Sequence, residues 1–163
     1  MDKVRVALIG GGFVSDIHAE AFQESPEAQL VAVCNVNKEA LEPFARKWKI
    51  PNTFSDYRKV LDRKDVDMVV LGIPNDLHQE VTVAAAEAGK HIVVEKPLAH
   101  TLEAGQAMVK AAKKHKVKLM YAETLCFSPK YGRAKKLVAE GAVGKLYMVK
   151  QGEKHSGPHS DWF

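Results

Sequence analysis

Four short stretches hold residues whose types and spacing could do chemistry. In the first, three glycines follow the apolar run Val4, Val6, Ala7, Leu8 and Ile9, and Phe13, Val14, Ile17 and Ala21 then recur at helical spacing. Strand, tight turn and helix are expected there. Gly10-x-Gly12-x-x-Ser15 fits a dinucleotide fingerprint in its first two glycines. These allow the turn and let backbone N–H groups at the helix start, those of Phe13 and Val14, approach a pyrophosphate. Ser15 stands where glycine or alanine is usual, yet it is small enough for close helix-to-strand packing. Such a turn also serves ordinary structure, so its context decides between the two readings. The second stretch is Glu95-Lys96-Pro97, in which a lysine directly follows a buried apolar run and a proline fixes its exit. The Lys96-Pro97 bond is one that can be cis. The third is Pro74 to His78 (PNDLH), and the fourth is Asn35, at the tip of the run LVAVC.

A fixed set of elements must position these residues. Leu30 to Cys34 predicts a second strand, whose tip in a dinucleotide fold would meet the adenosine ribose. An acid about 20 residues past the glycines is usual there. Asn35 can hydrogen-bond a 2′-hydroxyl but does not repel a 2′-phosphate, and Lys38 is close enough in sequence to attract one. Both NAD and NADP therefore remain open. Asn35 and Asn37 also suit plain turn and helix-cap chemistry.

Residues 38 to 48 predict a helix with Leu41, Phe44, Ala45 and Trp48 on its inner stripe, with Pro43 kinking it or delaying its start. A short strand and helix follow over 54 to 61, then a buried strand from Asp67 to Ile73. A helix over 78 to 88, ended by Gly89, leads to a strand from His91. Thr101 caps a helix to about His115, and Val117 to Tyr121 forms the next strand. The order β-α-β-α-β-α with short connections predicts a Rossmann-type, doubly wound parallel sheet with helices on both faces. Ligands of such sheets bind outside the carboxyl ends of the strands, where Gly10 to Gly12, Asn35, Pro74 to His78, Glu95 to Pro97 and Glu123 all fall.

Composition excludes several classes. The chain has 163 residues, 46% of them apolar and 27% charged, with a net charge of +4. These are values of a globular protein with one good core. No apolar run approaches a membrane span and the start does not resemble a signal peptide, so a cytoplasmic protein without membrane contact is expected. Lys110, Lys113 and Lys114, and Arg133, Lys135 and Lys136, read as solvated helix faces, and nucleic acid is not an expected partner. Cys34 and Cys126 lie in apolar surroundings without metal-ligand spacing and read as buried free thiols. His155, His159 and Asp161 flank a Gly-Pro pair and do not make a metal site by spacing, so no metal is expected.

Taken together, Ile9 to His18 (IGGGFVSDIH), Pro74 to His78, Ala88 to Pro97 (AGKHIVVEKP) and Phe127 to Tyr131 (FSPKY) resemble the glucose-fructose oxidoreductase, inositol dehydrogenase and rhizopine-catabolism group (Gfo/Idh/MocA). The resemblance implies an NAD(P)-dependent oxidoreductase that acts on a sugar, polyol or related alcohol by hydride transfer. It implies that Glu95 approaches the nicotinamide ribose, that Pro74, Asn75 and His78 line the nicotinamide end, and that Lys96 holds the reacting hydroxyl as the catalytic group. An ammonium there stabilises the negative charge that develops as hydride leaves. Ile73 replaces a frequent threonine, and Asn35 replaces the usual acid.

Members of that group are about twice as long, with a second, open-sheet domain that carries the substrate pocket and usually an Asp-x-x-x-His pair. The expected organisation is a cofactor domain over 1–122, then the connecting helix and first strand of an incomplete α+β substrate domain over 123–163. Ser128 and Pro129 open that helix and Gly141 closes it. Residues 145 to 151 would form an unpaired edge strand able to drive self-association, and a homo-oligomer is expected. A non-catalytic NAD(P)-binding or regulatory module working through a partner chain is the alternative, and a doubly wound domain for another phosphate-bearing ligand is a third.

Overall fold

The computed structural model describes residues 3–152. One compact unit runs through Glu123, and a second begins at Thr124. The first unit alternates strand and helix: β1 (Val4–Ile9), α1 (Phe13–Glu24), β2 (Ala28–Cys34), α2 (Lys38–Lys47), β3 (Thr53–Phe54), α3 (Tyr57–Leu61), β4 (Met68–Leu71), α4 (His78–Glu87), β5 (His91–Val94), α5 (Leu102–Lys114) and β6 (Leu119–Tyr121). All six strands are parallel, in the order β3-β2-β1-β4-β5-β6. The chain thus winds outward from β1 through β3, returns to β4, and winds outward again. Between β1 and β4 the direction of winding reverses, which opens a crevice at their carboxyl ends.

Alternation along the central strands creates the two layers. Val6 and Leu8 of β1 join Ala19 of α1 and Leu41, Phe44 and Ala45 of α2 in one apolar cluster. Ala7 and Ile9 point the other way, to Val60 and Leu61 of α3, Val81, Ala85 and Ala86 of α4 and Met108 of α5. Strands buried on both faces read as unbroken apolar runs, which is why VALI and VVL carry no polar residue. The β1–β2 register steps from Val6↔Leu30 to Ala7↔Ala32, so Val31 is an extra residue on β2.

Helix ends follow local chemistry. Asn37 Oδ1 accepts the N–H groups of Glu39 and Ala40, Asp56 accepts from Arg58, and Thr101 Oγ1 accepts from Ala104. Pro43 lies inside α2 without delaying its start, because at that depth it removes only the one bond to Glu39. Trp48, expected in the core, is only half-buried, and its Nε1 donates to Asp16 Oδ1 at 2.6 Å.

The apolar spacing that marks α1 as a helix does not mark its buried face. Phe13 is 80% and Ile17 53% exposed, Ala21 is also exposed, and the buried residues are Ser15 and Ala19. At the centre of its inward face, where Ser15 and Ala19 are buried, α1 lies so close to the strands that only small side chains fit.

In the second unit, a 3₁₀ turn at Thr124–Phe127 leads to α6 (Pro129–Ala139), and Gly141 follows at φ +76°. The strand expected over 145–151 is corrected. This stretch has no strand structure, and among the described residues it has no neighbouring strand to bond with. Cys126 is exposed rather than buried, since it lies on the short 3₁₀ turn, while Cys34 is buried as expected. His155, His159 and Asp161 lie outside the described residues. No helix among the described residues is long and apolar enough to cross a membrane.

Candidate active site at the strand carboxyl ends

The glycine turn joins β1 to α1 at the centre of the sheet. Gly10 has φ +110°, and a Cβ there would lie 2.1 Å from the Gly72 carbonyl oxygen. The turns after β1 and β4 therefore touch backbone to backbone, which only glycine permits. A Cβ on Gly72 would in turn stand 2.7 Å from Ser15 Oγ, and Ser15 is buried. The serine at the third fingerprint position thus seats α1 against the end of β4. Gly12 differs from both. It has nothing within 4 Å of where a Cβ would be, and it caps α1 without any side-chain hydrogen bond. The N–H groups of Phe13 and Val14, in the first turn, have no acceptor within the helix. Open space beside N–H groups that have no acceptor within the helix, at the start of a 12-residue helix, fits a phosphate-bearing ligand.

At the tip of β2, Asn35 is half-buried, and its Oδ1 accepts the Asn37 N–H at 3.0 Å. Its Nδ2 would stand 2.8 Å from a Cβ on Gly11, so the amide lies over the glycine turn. Lys38 is exposed at the first position of α2. Cys34, one residue before the tip, has its thiol pushed up to about 11 by burial and, secondarily, by the Asp56 carboxylate.

Beyond β4, Pro74 and Asn75 are exposed on the loop into a 3₁₀ turn, while Ile73 packs against the core. His78 departs from expectation. It is 0% exposed, with Nδ1 2.9 Å from the Pro97 carbonyl oxygen and Nε2 3.1 Å from that of Ile73. His78 therefore cannot line a cofactor surface directly. It clamps the Ile73-Pro74 loop to the segment after β5, where the Lys96-Pro97 bond is cis.

Glu95 leaves β5 with its side chain 14% exposed. Oε1 accepts from His18 Nε2 at 2.8 Å, and Oε2 accepts the Lys96 N–H at 3.1 Å. Lys96 is exposed, and its ammonium has no partner among the described residues. His18 was not among the residues singled out from the sequence. The signal was its position: Ser15, His18, Ala19 and Phe22 make the inward face of α1, which the larger side chains at 13 and 17 disguise.

The fold thus brings the glycine turn, Asn35, the Pro74-Asn75 loop and Glu95-Lys96 to one edge of one sheet. Comparison with known sequences decides what this edge belongs to: residues 4–123 match the family model described as the oxidoreductase family with an NAD-binding Rossmann fold, GFO_IDH_MocA. The chain belongs to the Gfo/Idh/MocA family. Among Gfo/Idh/MocA relatives, levoglucosan dehydrogenase of Pseudarthrobacter phenanthrenivorans is 38% identical over 154 residues, covering 90% of this chain and 40% of the relative. Myo-inositol 2-dehydrogenase of Thermotoga maritima is 27% identical, covering 95% and 46%. Of solved structures, levoglucosan dehydrogenase in complex with NADH superposes with a TM-score of 0.83 at 38% identity, covering 88% of this chain and 41% of that one. Scyllo-inositol dehydrogenase from Lactobacillus casei with bound NAD(H) and scyllo-inositol also gives 0.83, at 26% identity, covering 88% and 43%. The chain therefore spans less than half the length of these curated relatives and carries the family's NAD-binding Rossmann domain.

Proposed function

We propose that this chain is the cofactor-holding part of an NAD(P)-dependent dehydrogenase that acts on a sugar, polyol or related alcohol. The observation that supports this most is the juxtaposition at one sheet edge of an open glycine turn and a lysine whose ammonium has no partner among the described residues. The family's relatives include enzymes named for levoglucosan and for inositols, which supports a sugar or polyol as the substrate class. The bound nicotinamide would supply the hydride acceptor.

The chain's own residues hold and orient that cofactor. Gly10 and Gly12 shape the turn, and the N–H groups of Phe13 and Val14 receive the pyrophosphate. Asn35 and Lys38 meet the adenosine end. Pro74 and Asn75 border the nicotinamide end, and His78 holds their loop in place from behind. Glu95, steadied by His18, faces the nicotinamide ribose. Lys96 holds the reacting hydroxyl, and its charge favours the oxygen as it loses its proton.

The test is a titration of the chain with NADH and NADPH, followed by nicotinamide fluorescence. Saturable binding that Gly12→Ala weakens is the expected result. A folded chain that binds neither dinucleotide overturns the proposal. Where oxidation of inositols or anhydrosugars is measured, Lys96→Ala should lower the rate by about a thousandfold. An unchanged rate would instead favour a non-catalytic module.

A further inference from the structure

We infer that the adenosine end of this site is made for a dinucleotide bearing a 2′-phosphate, in preference to one with a free 2′-hydroxyl. The inference rests on the cofactor role proposed above for the same edge of the sheet.

The argument starts from how the Asn35 amide is used. Its oxygen is occupied locally, accepting the Asn37 N–H at 3.0 Å and closing the turn into α2. Its nitrogen lies over the glycine turn, where a Cβ on Gly11 would come within 2.8 Å, and makes no hydrogen bond to a described residue. The side chain therefore offers its N–H donors at the glycine turn, while its oxygen, already accepting from Asn37, keeps only one further acceptor site. A ribose with both hydroxyls free is matched best by a carboxylate, which accepts from two O–H groups at once. A phosphate has only acceptor oxygens, so the donor amide is its natural complement. Asn35 sets no carboxylate of its own against the phosphate, although the Asp56 carboxylate acts on Cys34 one residue before the tip.

Two neighbouring features act in the same direction. Lys38 stands exposed at the first position of α2, three residues past Asn35. The α2 N-terminus adds its partial positive charge, although Asn37 already takes the N–H groups of Glu39 and Ala40. Glu39, exposed in the same turn, is the one opposing charge on α2's first turn, and Lys38 offsets it.

Binding of 2′,5′-ADP and of 5′-AMP to the chain, measured by calorimetry at low and at raised salt, isolates the adenosine end from the nicotinamide end. The expected result is roughly tenfold or more tighter binding of 2′,5′-ADP, persisting in part when salt screens general attraction. Asn35→Asp, which is isosteric, should abolish or reverse that ratio, and Lys38→Gln should reduce it several-fold by weakening 2′,5′-ADP more than 5′-AMP. NADPH and NADH should rank in the same order. Equal binding of the two probes, or a ratio that Asn35→Asp leaves unchanged, overturns the inference while leaving the cofactor role intact. A folded chain that binds neither probe nor either dinucleotide overturns both.

Discussion

His18 and Glu95 meet at 2.8 Å, joining the helix after β1 to the end of β5, and the other Glu95 oxygen receives the Lys96 N–H. Both side chains are largely buried, at 21% and 14% exposure. A partly buried carboxylate left without its donor loses more than the bond is worth, because its desolvation is no longer offset. His18→Ala should therefore destabilise the chain by about 1–2 kcal/mol in urea unfolding. His18→Gln, which keeps a donor, should recover part of that loss. In a double-mutant cycle, His18→Ala and Glu95→Gln should couple by about 1 kcal/mol. Strict additivity would show that His18 and Glu95 do not support one another.

The three glycines of the first turn should respond very differently to alanine. At Gly10 a Cβ meets the Gly72 carbonyl at 2.1 Å and φ is +110°, so neither backbone can yield cheaply. Gly10→Ala should cost about 3 kcal/mol or more, or prevent folding. Gly11→Ala displaces only the Asn35 amide, the end of a side chain. Gly12→Ala meets nothing and should cost about 1 kcal/mol or less. The same methyl group would nonetheless occupy the open space at the α1 N-terminus, so NADH affinity should fall by about tenfold or more. Full affinity in a folded Gly12→Ala chain would remove this turn from the site.

The order of elements was legible because both signals behind it are local. Apolar runs such as VALI and VVL are doubly buried strands, and glycine, asparagine and threonine mark the turns between them. The face of α1 was not legible. Apolar spacing selects Phe13, Ile17 and Ala21, but close approach to the strands requires Ser15 and Ala19, and tertiary crowding overrides hydrophobicity there. The same local limits explain His78 and His18. Sequence gives a histidine's proximity to a motif, whereas its burial and its acceptors depend on Pro97 and Glu95, brought from elsewhere in the chain. Alternation over 145–151 likewise marks a strand only where a partner supplies its hydrogen bonds.

Acid should expose the worth of Asp67. Arg5 grips it with Nε and Nη2 at 2.9 and 2.6 Å and adds its backbone N–H at 2.8 Å, tying the start of β1 to that of β4. The guanidinium bonds lower the carboxyl from 3.8 to about 2. Because the folded value lies below the unfolded one, the folded state is favoured fully above about pH 5, and that contribution is lost as pH falls towards 2. The pair is more than a third exposed, so screening reduces it to about 1 kcal/mol. Asp67→Asn should lower stability by that amount at pH 7 and flatten the acid limb of a stability-pH curve. Asp16, lowered mainly by its bond to Lys47, adds a smaller contribution of the same sign. An unchanged acid limb would show that Arg5 does not hold the two strands.

The two cysteines should separate cleanly by reactivity. Attack on a disulfide reagent requires the thiolate. Cys34 is 3% exposed, and burial pushes its thiol up to about 11, so at pH 8 it stays protonated as well as covered. Cys126 is exposed on the turn before α6. Reaction of the native chain with a chromogenic disulfide at pH 8 should release one equivalent quickly and the second only at the rate of unfolding, or when denaturant is added. Cys34 is the last residue of β2, and its carbonyl accepts the Gly10 N–H at 2.8 Å. Its labelling rate therefore reports opening of the β1–β2 pair beneath the glycine turn. A dinucleotide seated on that turn should slow Cys34 in proportion to its occupancy and leave Cys126 unchanged. Fast labelling of both thiols in the native chain would contradict the packing of β2.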